Sequence, residues 1–316
     1  MPGKLDPETL AAVLGRTGAE DDALAVGPAY GEDAAAIDLG DETLVVSSDP
    51  ISLAASRVGT LAVHVAANDV AASGADPRWL TSVLVLPDDS TLEAITEDVD
   101  AAATGIGATV VGGHTEFDAS RDRPFACLTA LGTTERFVPT GGAAPGARLL
   151  LTDGTAIEGT AILAADFRAD LEVPAETVEA GLAFFDRVSV VDAARALREH
   201  ASAMHDPTEG GVLAGCVELA AAAGVAVSLE REAIPVATPT RALCAAVGVD
   251  PLRIFGSGAL LAAVAPDRVE EAVSDCEAAG IEVAEIGAVE AGSGVTLDGD
   301  PIAEPVDDDM YGLWEG

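Results

Sequence analysis

Asn68 and Asp69 sit at the centre of HVAANDVAASGADP, residues 64–77, flanked almost entirely by small apolar side chains. A carboxylate on such a surface is unfavourable unless a cation or hydrogen-bond donors satisfy it. Further acids recur in small-residue, glycine-flanked stretches at Asp33, Asp49, Glu116, Asp206 and Glu209. Each alone reads as an acidic turn; together they point to a site for a hard cation and phosphates. In GGHTE, 112–116, two glycines let the backbone approach a ligand and turn amides toward phosphate oxygens, beside His114 and Glu116. A β-bulge with a surface histidine explains the same residues. In HDPTEGG, 205–211, Thr208 reads as a helix N-cap and Glu209 as a first-turn acid. The functional reading puts that glycine-flanked helix start near phosphate while carboxylates hold Mg2+.

Regular elements must position these groups. Leu61, Val65 and Ala72 fall at helical spacing, and Gly74 with Pro77 stops that helix. The pattern predicts strands over 34–40, 42–50, 79–87, 108–117 and 125–134, the fourth running into a glycine loop. It predicts a helix over 91–104. VPTGGAAPGA, 138–147, reads as a linker, after which the pattern restarts. Strands follow at 148–154, 225–231, 258–265 and 281–290. Helices follow at 156–167, within 176–198, and at 212–223, 238–247 and 267–279, with a loop at 204–211. Strand–helix alternation mixed with meander-like pairs favours an α+β fold with two layers per domain.

Hydrophobic residues make up 49% of 316 but aromatics only 3%, so the core must be built from Ala, Val and Leu. No apolar run reaches the roughly 20 residues needed to span a bilayer. The first residues show no basic-then-apolar leader pattern, so a cytoplasmic protein is expected. The formal net charge is −38 and Lys4 is the only lysine, which argues against a nucleic-acid partner. The acids are scattered, as a hydrated surface in a salt-rich cytosol requires. Cys127, Cys216, Cys244 and Cys276 form no C-x-x-C pair and read as core thiols in a reducing compartment. Neither a Walker A motif nor a G-x-G-x-x-G after the first strand is present.

The ordered set GEDAA, SSDP, NDVAASGA, GGHTE, VPTGGAAPGA and MHDPTEGG resembles the PurM-like superfamily over roughly residues 30–290. That group includes aminoimidazole ribonucleotide (AIR) synthase, thiamine-monophosphate kinase, selenophosphate synthetase and the hydrogenase maturation protein HypE. The second half, with DPTEGGVLAGCVELA and EREAIPVATPTRALCAAVGVDPLRIFGSGALLAAV, looks most like the HypE branch. The resemblance implies an N-terminal ATP-binding domain over 1–140 and a C-terminal domain over 141–316. It implies a homodimer whose N-terminal strands form a shared barrel, with ATP and Mg2+ in a cleft. It implies phosphorylation of a carbonyl-type oxygen of a small molecule or partner protein, later expelled as phosphate. The kinase branch, which leaves phosphate on its product, and a non-catalytic ATP-binding maturation partner are the alternatives.

Carried over by position, the resemblance makes Asp33, Asp49, Asp69, Asp206 and Glu209 metal contacts. Ser47, Ser48, Asn68, Gly112, Gly113, Thr115, Thr208 and Gly210 become nucleotide contacts. Asp69, His114 and Glu116 become the catalytic set. Two departures stand out. HypE proteins carry Asp where this chain has His114, and they end in a cysteine that accepts a carbamoyl group, whereas this sequence ends DDDMYGLWEG. Tyr311 and Trp314 either fold over the cleft or belong to a loosely docked tail.

Overall fold

The computed structural model describes residue 5 and residues 7–314. After a short helix α1 (Pro7–Leu14), the first half builds a six-stranded sheet. Its strands are β1 (Leu24–Val26), β2 (Ala35–Asp38), β3 (Thr43–Ile51), β4 (Asp76–Leu86), β5 (Thr109–Phe117) and β6 (Phe125–Thr134). The order is β1-β2-β3-β6-β4-β5, antiparallel except for β4 beside β5. Two helices, α2 (Val58–Ala72) and α3 (Leu92–Ile106), pack on one face. In β6, Ala126, Leu128 and Ala130 are buried while Cys127, Thr129 and Leu131 are half-buried. This is the period-two signature of a sheet with one covered and one open face.

The second half forms a seven-stranded sheet in the order β13-β12-β9-β11-β7-β10-β8. In chain order its elements are β7 (Arg148–Thr152), α4 (Ile157–Asp166), α5 (Ala175–Leu182), α6 (Val191–Leu197) and β8 (Ala201–His205). Next come α7 (Gly211–Ala223), β9 (Ala226–Leu229), α8 (Thr238–Val247), β10 (Leu261–Val264) and α9 (Val269–Ala278). β11 (Val283–Glu290), β12 (Gly294–Leu297), β13 (Asp300–Pro301) and a 3-10 helix Asp309–Trp314 complete the order. β7 reads RLLLT because both faces of this sheet are covered. Leu149 and Leu151 join one apolar cluster with α7, while Leu150 joins the cluster of the first half.

That second cluster explains α2. Apart from His64 it is buried all round, because the first sheet lies on one side and α6 and β8 on the other. Small side chains permit both approaches. The 138–147 stretch is held firmly: the Glu32 carboxylate accepts the Thr140 and Gly141 amides at 3.2 and 2.9 Å.

Three expectations change. Residues 109–117 are a continuous edge strand rather than a strand running into a glycine loop. A Cβ at Gly113 would collide with the Ser82 carbonyl oxygen, so glycine there serves the close pairing of β5 with β4. The stretch read as a loop at 204–211 begins inside β8, and β1, β12 and β13 were not foreseen.

Candidate active site

Four segments far apart in sequence deliver the acids. Strand alternation turns Ser47 and Asp49 of β3 to the side of α2, where the Ser47 hydroxyl donates to the Asp69 carboxylate. Asp33 precedes β2, and Asp206 follows β8. One carboxylate oxygen from each of Asp33, Asp69 and Asp206 lies within 4.8 Å of the other two. Both Asp206 carboxylate oxygens are buried and have no hydrogen-bond partner among the described residues. Burial, reinforced by Asp49, Asp206 and Asp33, holds the Asp69 carboxyl well above the usual range. Burial and the Asp33 charge push Asp206 up to about 8. Hard oxygen donors so placed fit a small divalent cation, which would satisfy the orphaned Asp206 oxygens.

His205 organises Asp33. Its Nδ1 lies 2.7 Å from Asp33 Oδ2, and its Nε2 lies 3.1 Å from Glu218 Oε2 on α7. Burial alone would lower the imidazole pKa, but the two carboxylates raise it well above its ordinary value. The resulting imidazolium fixes the Asp33 carboxylate and offsets part of the negative charge.

Of these groups Asp33 and Asp69 line a cavity of about 650 Å³, whereas Asp206 and His205 are buried and do not line it. Asp33, Ser47, Ser48, Asp49, Asp69, Thr208 and Glu209 line it, with Leu53, Ile162, Phe255 and Trp314 elsewhere on its wall. A second cavity of about 550 Å³ shares Glu32, Asp33 and Glu209 and is lined by Leu10, Leu14, Tyr30 and Tyr311. Among the described residues lining either cavity, none is lysine or arginine.

The structure separates other expected site residues from this cluster. Gly112, Gly113, His114, Thr115 and Glu116 all lie on β5 and are exposed. His114 Nε2 sits 3.3 Å from Glu116 Oε2. β5 is three strands from β3, about 14 Å at the usual inter-strand spacing. Within one chain GGHTE therefore does not meet Asp69. Asn68 is fully buried and turned to the second half: its amide nitrogen donates to the Val188 carbonyl at 2.8 Å, and its oxygen accepts the Val190 amide at 2.9 Å. The carboxamide is thus spent on backbone and does not point to a ligand. Ser48 pairs with Thr129 at 2.5 Å across β3 and β6. The N-cap of α7 is Gly210, with φ 77°, rather than Thr208, whose carbonyl accepts the Gly211 and Gly256 amides.

The residues read 31–134 match the N-terminal domain of AIR synthase related protein, and residues 144–300 match its C-terminal domain. The chain belongs to the AIR synthase related family. Carbamoyl dehydratase HypE of Azotobacter vinelandii is 32% identical over 277 residues, covering 82% of this chain and 79% of that protein. In a crystal structure of a HypE–HypF complex, a matching chain superposes with TM-score 0.72 at 25% identity, covering 84% of this chain and 89% of its own. AaThiL complexed with AMPPCP and TMP shares the fold, with TM-score 0.75 at 24% identity over 88% of this chain and 90% of that one. The two-domain PurM-like architecture of mixed sheets and helices expected from the motifs is thus shown.

Three residues of the site escaped sequence reasoning: His205, Glu218 and Glu158. Glu218 does leave a signal, as the lone acid of the otherwise apolar α7, and Glu158 leaves a weaker one, since α4 holds only one other acid, Asp166 at its far end. Glu158, in the first turn of α4, is buried on the cavity wall, and burial pushes its carboxyl up to about 8. The fold therefore favours its protonated form. The unfolded chain releases that proton near 4.5, so stability declines as pH rises from about 4.5 to about 8. Replacing Glu158 with glutamine is expected to remove its share of this slope and leave the share of Asp69 and Asp206, whose carboxyls are raised in the same direction. Denaturant titrations of metal-free protein should then find the variant more stable than wild type above pH 8 and similar to it near pH 5. An unchanged slope would refute the assignment.

Proposed function

We propose that the protein is an ATP- and Mg2+-dependent enzyme that phosphorylates a carbonyl-type oxygen and releases ADP and phosphate. The observation that carries the reading is the Asp33–Asp69–Asp206 cluster, half-buried at Asp33 and buried at the other two, with its unsatisfied Asp206 oxygens, in a family member whose relatives include carbamoyl dehydratases. For a carboxamide the balance is R–CONH2 + ATP → R–CN + ADP + phosphate + H+. The carbonyl oxygen displaces ADP at the γ-phosphorus, and the resulting C–O bond breaks as phosphate departs. Asp33, Asp49, Asp69, Asp206 and Glu209 would hold Mg2+, which neutralises the polyphosphate and the charge developing in transfer. His205 fixes the Asp33 carboxylate, and Ser47 fixes Asp69.

No lysine or arginine among the described lining residues stands ready for a phosphate on the acceptor. This supports an uncharged acceptor oxygen over the phosphate monoester of a thiamine-monophosphate kinase. Among the described residues no cysteine lines either cavity, which supports an acceptor on another molecule, a small compound or a partner protein. The structure of a HypE–HypF complex supports a partner in hydrogenase or other metallocentre maturation. Among the described residues no helix is long and apolar enough to cross a membrane, in keeping with a cytoplasmic enzyme. The net charge of −38 supports a salt-rich cytosol. Phosphorus NMR of turnover mixtures with carboxamide acceptors tests the reaction: inorganic phosphate is expected, and a phosphorylated product would overturn it.

The reading includes a homodimer. β5 is a nine-residue edge strand with Val111 and Phe117 each 57% exposed, and the face of its sheet away from α2 is open. A long apolar edge of this kind is ordinarily paired. Pairing it with a second copy would bring GGHTE to the partner's cleft and give His114 and Glu116 access to the nucleotide. Val111→Asp is expected to convert dimer to monomer by light scattering in molar KCl. A wild-type monomer, or a variant that stays dimeric, would contradict this.

A further inference from the structure

The cavity beside Asp69 is lined by two chemically different sets of residues. One is acidic, with Asp33, Asp49, Asp69, Glu158 and Glu209; the other is apolar and aromatic, with Leu53, Ile162, Phe255 and Trp314. Polyphosphate and cation belong at the first. The second offers apolar and aromatic surface, which suits a planar, uncharged ring. We infer that Trp314, backed by Phe255, is the contact surface for the nucleobase of the bound nucleotide. The inference rests on the nucleotide reading above.

Trp314 is built into the wall. Its ring lies 5.1 Å from Phe167 at an interplanar angle of 68° and 6.0 Å from Phe255 at 85°. These edge-to-face contacts hold the half-buried indole in place. The preceding residues anchor it further. Met310 is fully buried. The Asp308 carboxylate accepts the Gly210 and Met310 amides, each at 2.8 Å. Arg253 meets Asp309 at 3.1 Å, and Asp309 also accepts the Asp250 amide at 3.0 Å. Gly210 belongs to the loop carrying Thr208 and Glu209, and the Gly256 amide donates to the Thr208 carbonyl at 3.0 Å. The aromatic wall and the Thr208–Glu209 loop are therefore one hydrogen-bonded unit. A base resting on Trp314 would register the same loop that brings Glu209 to the cavity.

The chain has two tryptophans, and Trp79, in β4, does not line the cavity. Trp79→Phe thus leaves Trp314 as the sole tryptophan of the full-length protein. In molar KCl with Mg2+, ATP is expected to change its emission and tripolyphosphate to leave it unchanged. By calorimetry, Trp314→Ala should weaken MgATP about tenfold and leave tripolyphosphate binding unaltered, whereas Trp314→Phe should stay near wild type. Circular dichroism checks that Trp314→Ala is folded; the emission experiment does not depend on that variant. Calorimetric MgATP binding with no emission change, or an equal response to tripolyphosphate, overturns the base contact alone. If neither probe binds the wild type, the inference and the nucleotide reading fall together.

Discussion

Replacing Asp69 with asparagine is expected to reduce ATP turnover by about 10²–10³-fold, the range found when one preorganised electrostatic contact is deleted. It should also abolish stabilisation by MgATP. The change is nearly isosteric, and Ser47 can still donate to the amide oxygen, so folding should survive. Burial and the neighbouring carboxylates already hold the Asp69 carboxyl well above its ordinary range, so loss of its charge should stabilise the metal-free protein at high pH. Wild type at 100 times its Kd should gain about 2.7 kcal/mol from ligand. Thermal unfolding with and without MgATP reads both effects. Wild-type turnover in the asparagine variant would show that the buried cluster is structural.

Asn68→Ala should behave in the opposite way although its side chain is the next one along. Asn68 joins α2 to the backbone at Val188 and Val190 across more than a hundred residues of sequence. Removing the carboxamide strands a buried carbonyl and a buried amide, at about 1–3 kcal/mol for each unsatisfied group. A destabilisation of about 2–5 kcal/mol is expected by denaturant titration, with MgATP affinity within threefold of wild type in whatever protein remains folded. A stable variant with lost nucleotide affinity would instead make Asn68 a phosphate contact. The pair Asp69→Asn and Asn68→Ala thus separates chemistry from scaffold at adjacent positions.

The contrast shows what local pattern conveys. A helix through 64–72 and a strand through 42–50 follow from spacing alone, but the meeting of Ser47 with Asp69 across them does not. Which neighbours fill the remaining valences does not follow. Asp33 and His205 are separated by 172 positions, and they meet only because β8 lies at the edge of the second sheet next to β10. His205 and Glu218 acquire meaning through that long-range pairing. GGHTE was misread as ending in a loop because paired glycines usually mark turns, whereas Gly113 is demanded by the Ser82 backbone across β4. Asn68 was read with Asp69 because both are polar on a small-residue helix; successive helical residues point about 100° apart, and here they serve different halves of the molecule. The aromatic residues at 311 and 314 were visible as candidates to cover the cleft. Their docking depends on Asp308 meeting the start of α7, about a hundred residues earlier, which spacing does not reveal.

The central claim is that a cation held by buried carboxylates recruits the nucleotide. Because no basic side chain among the described residues lines the cavity, and the chain carries a net charge of −38, ATP should have no affinity of its own. The direct measurement is calorimetric titration of ATP into wild-type protein in molar KCl, once with Mg2+ and once with EDTA. Binding with Mg2+ that weakens at least about 100-fold in EDTA, a difference of roughly 2.7 kcal/mol, is the predicted result. Equal binding in both buffers, or none in either, would contradict it.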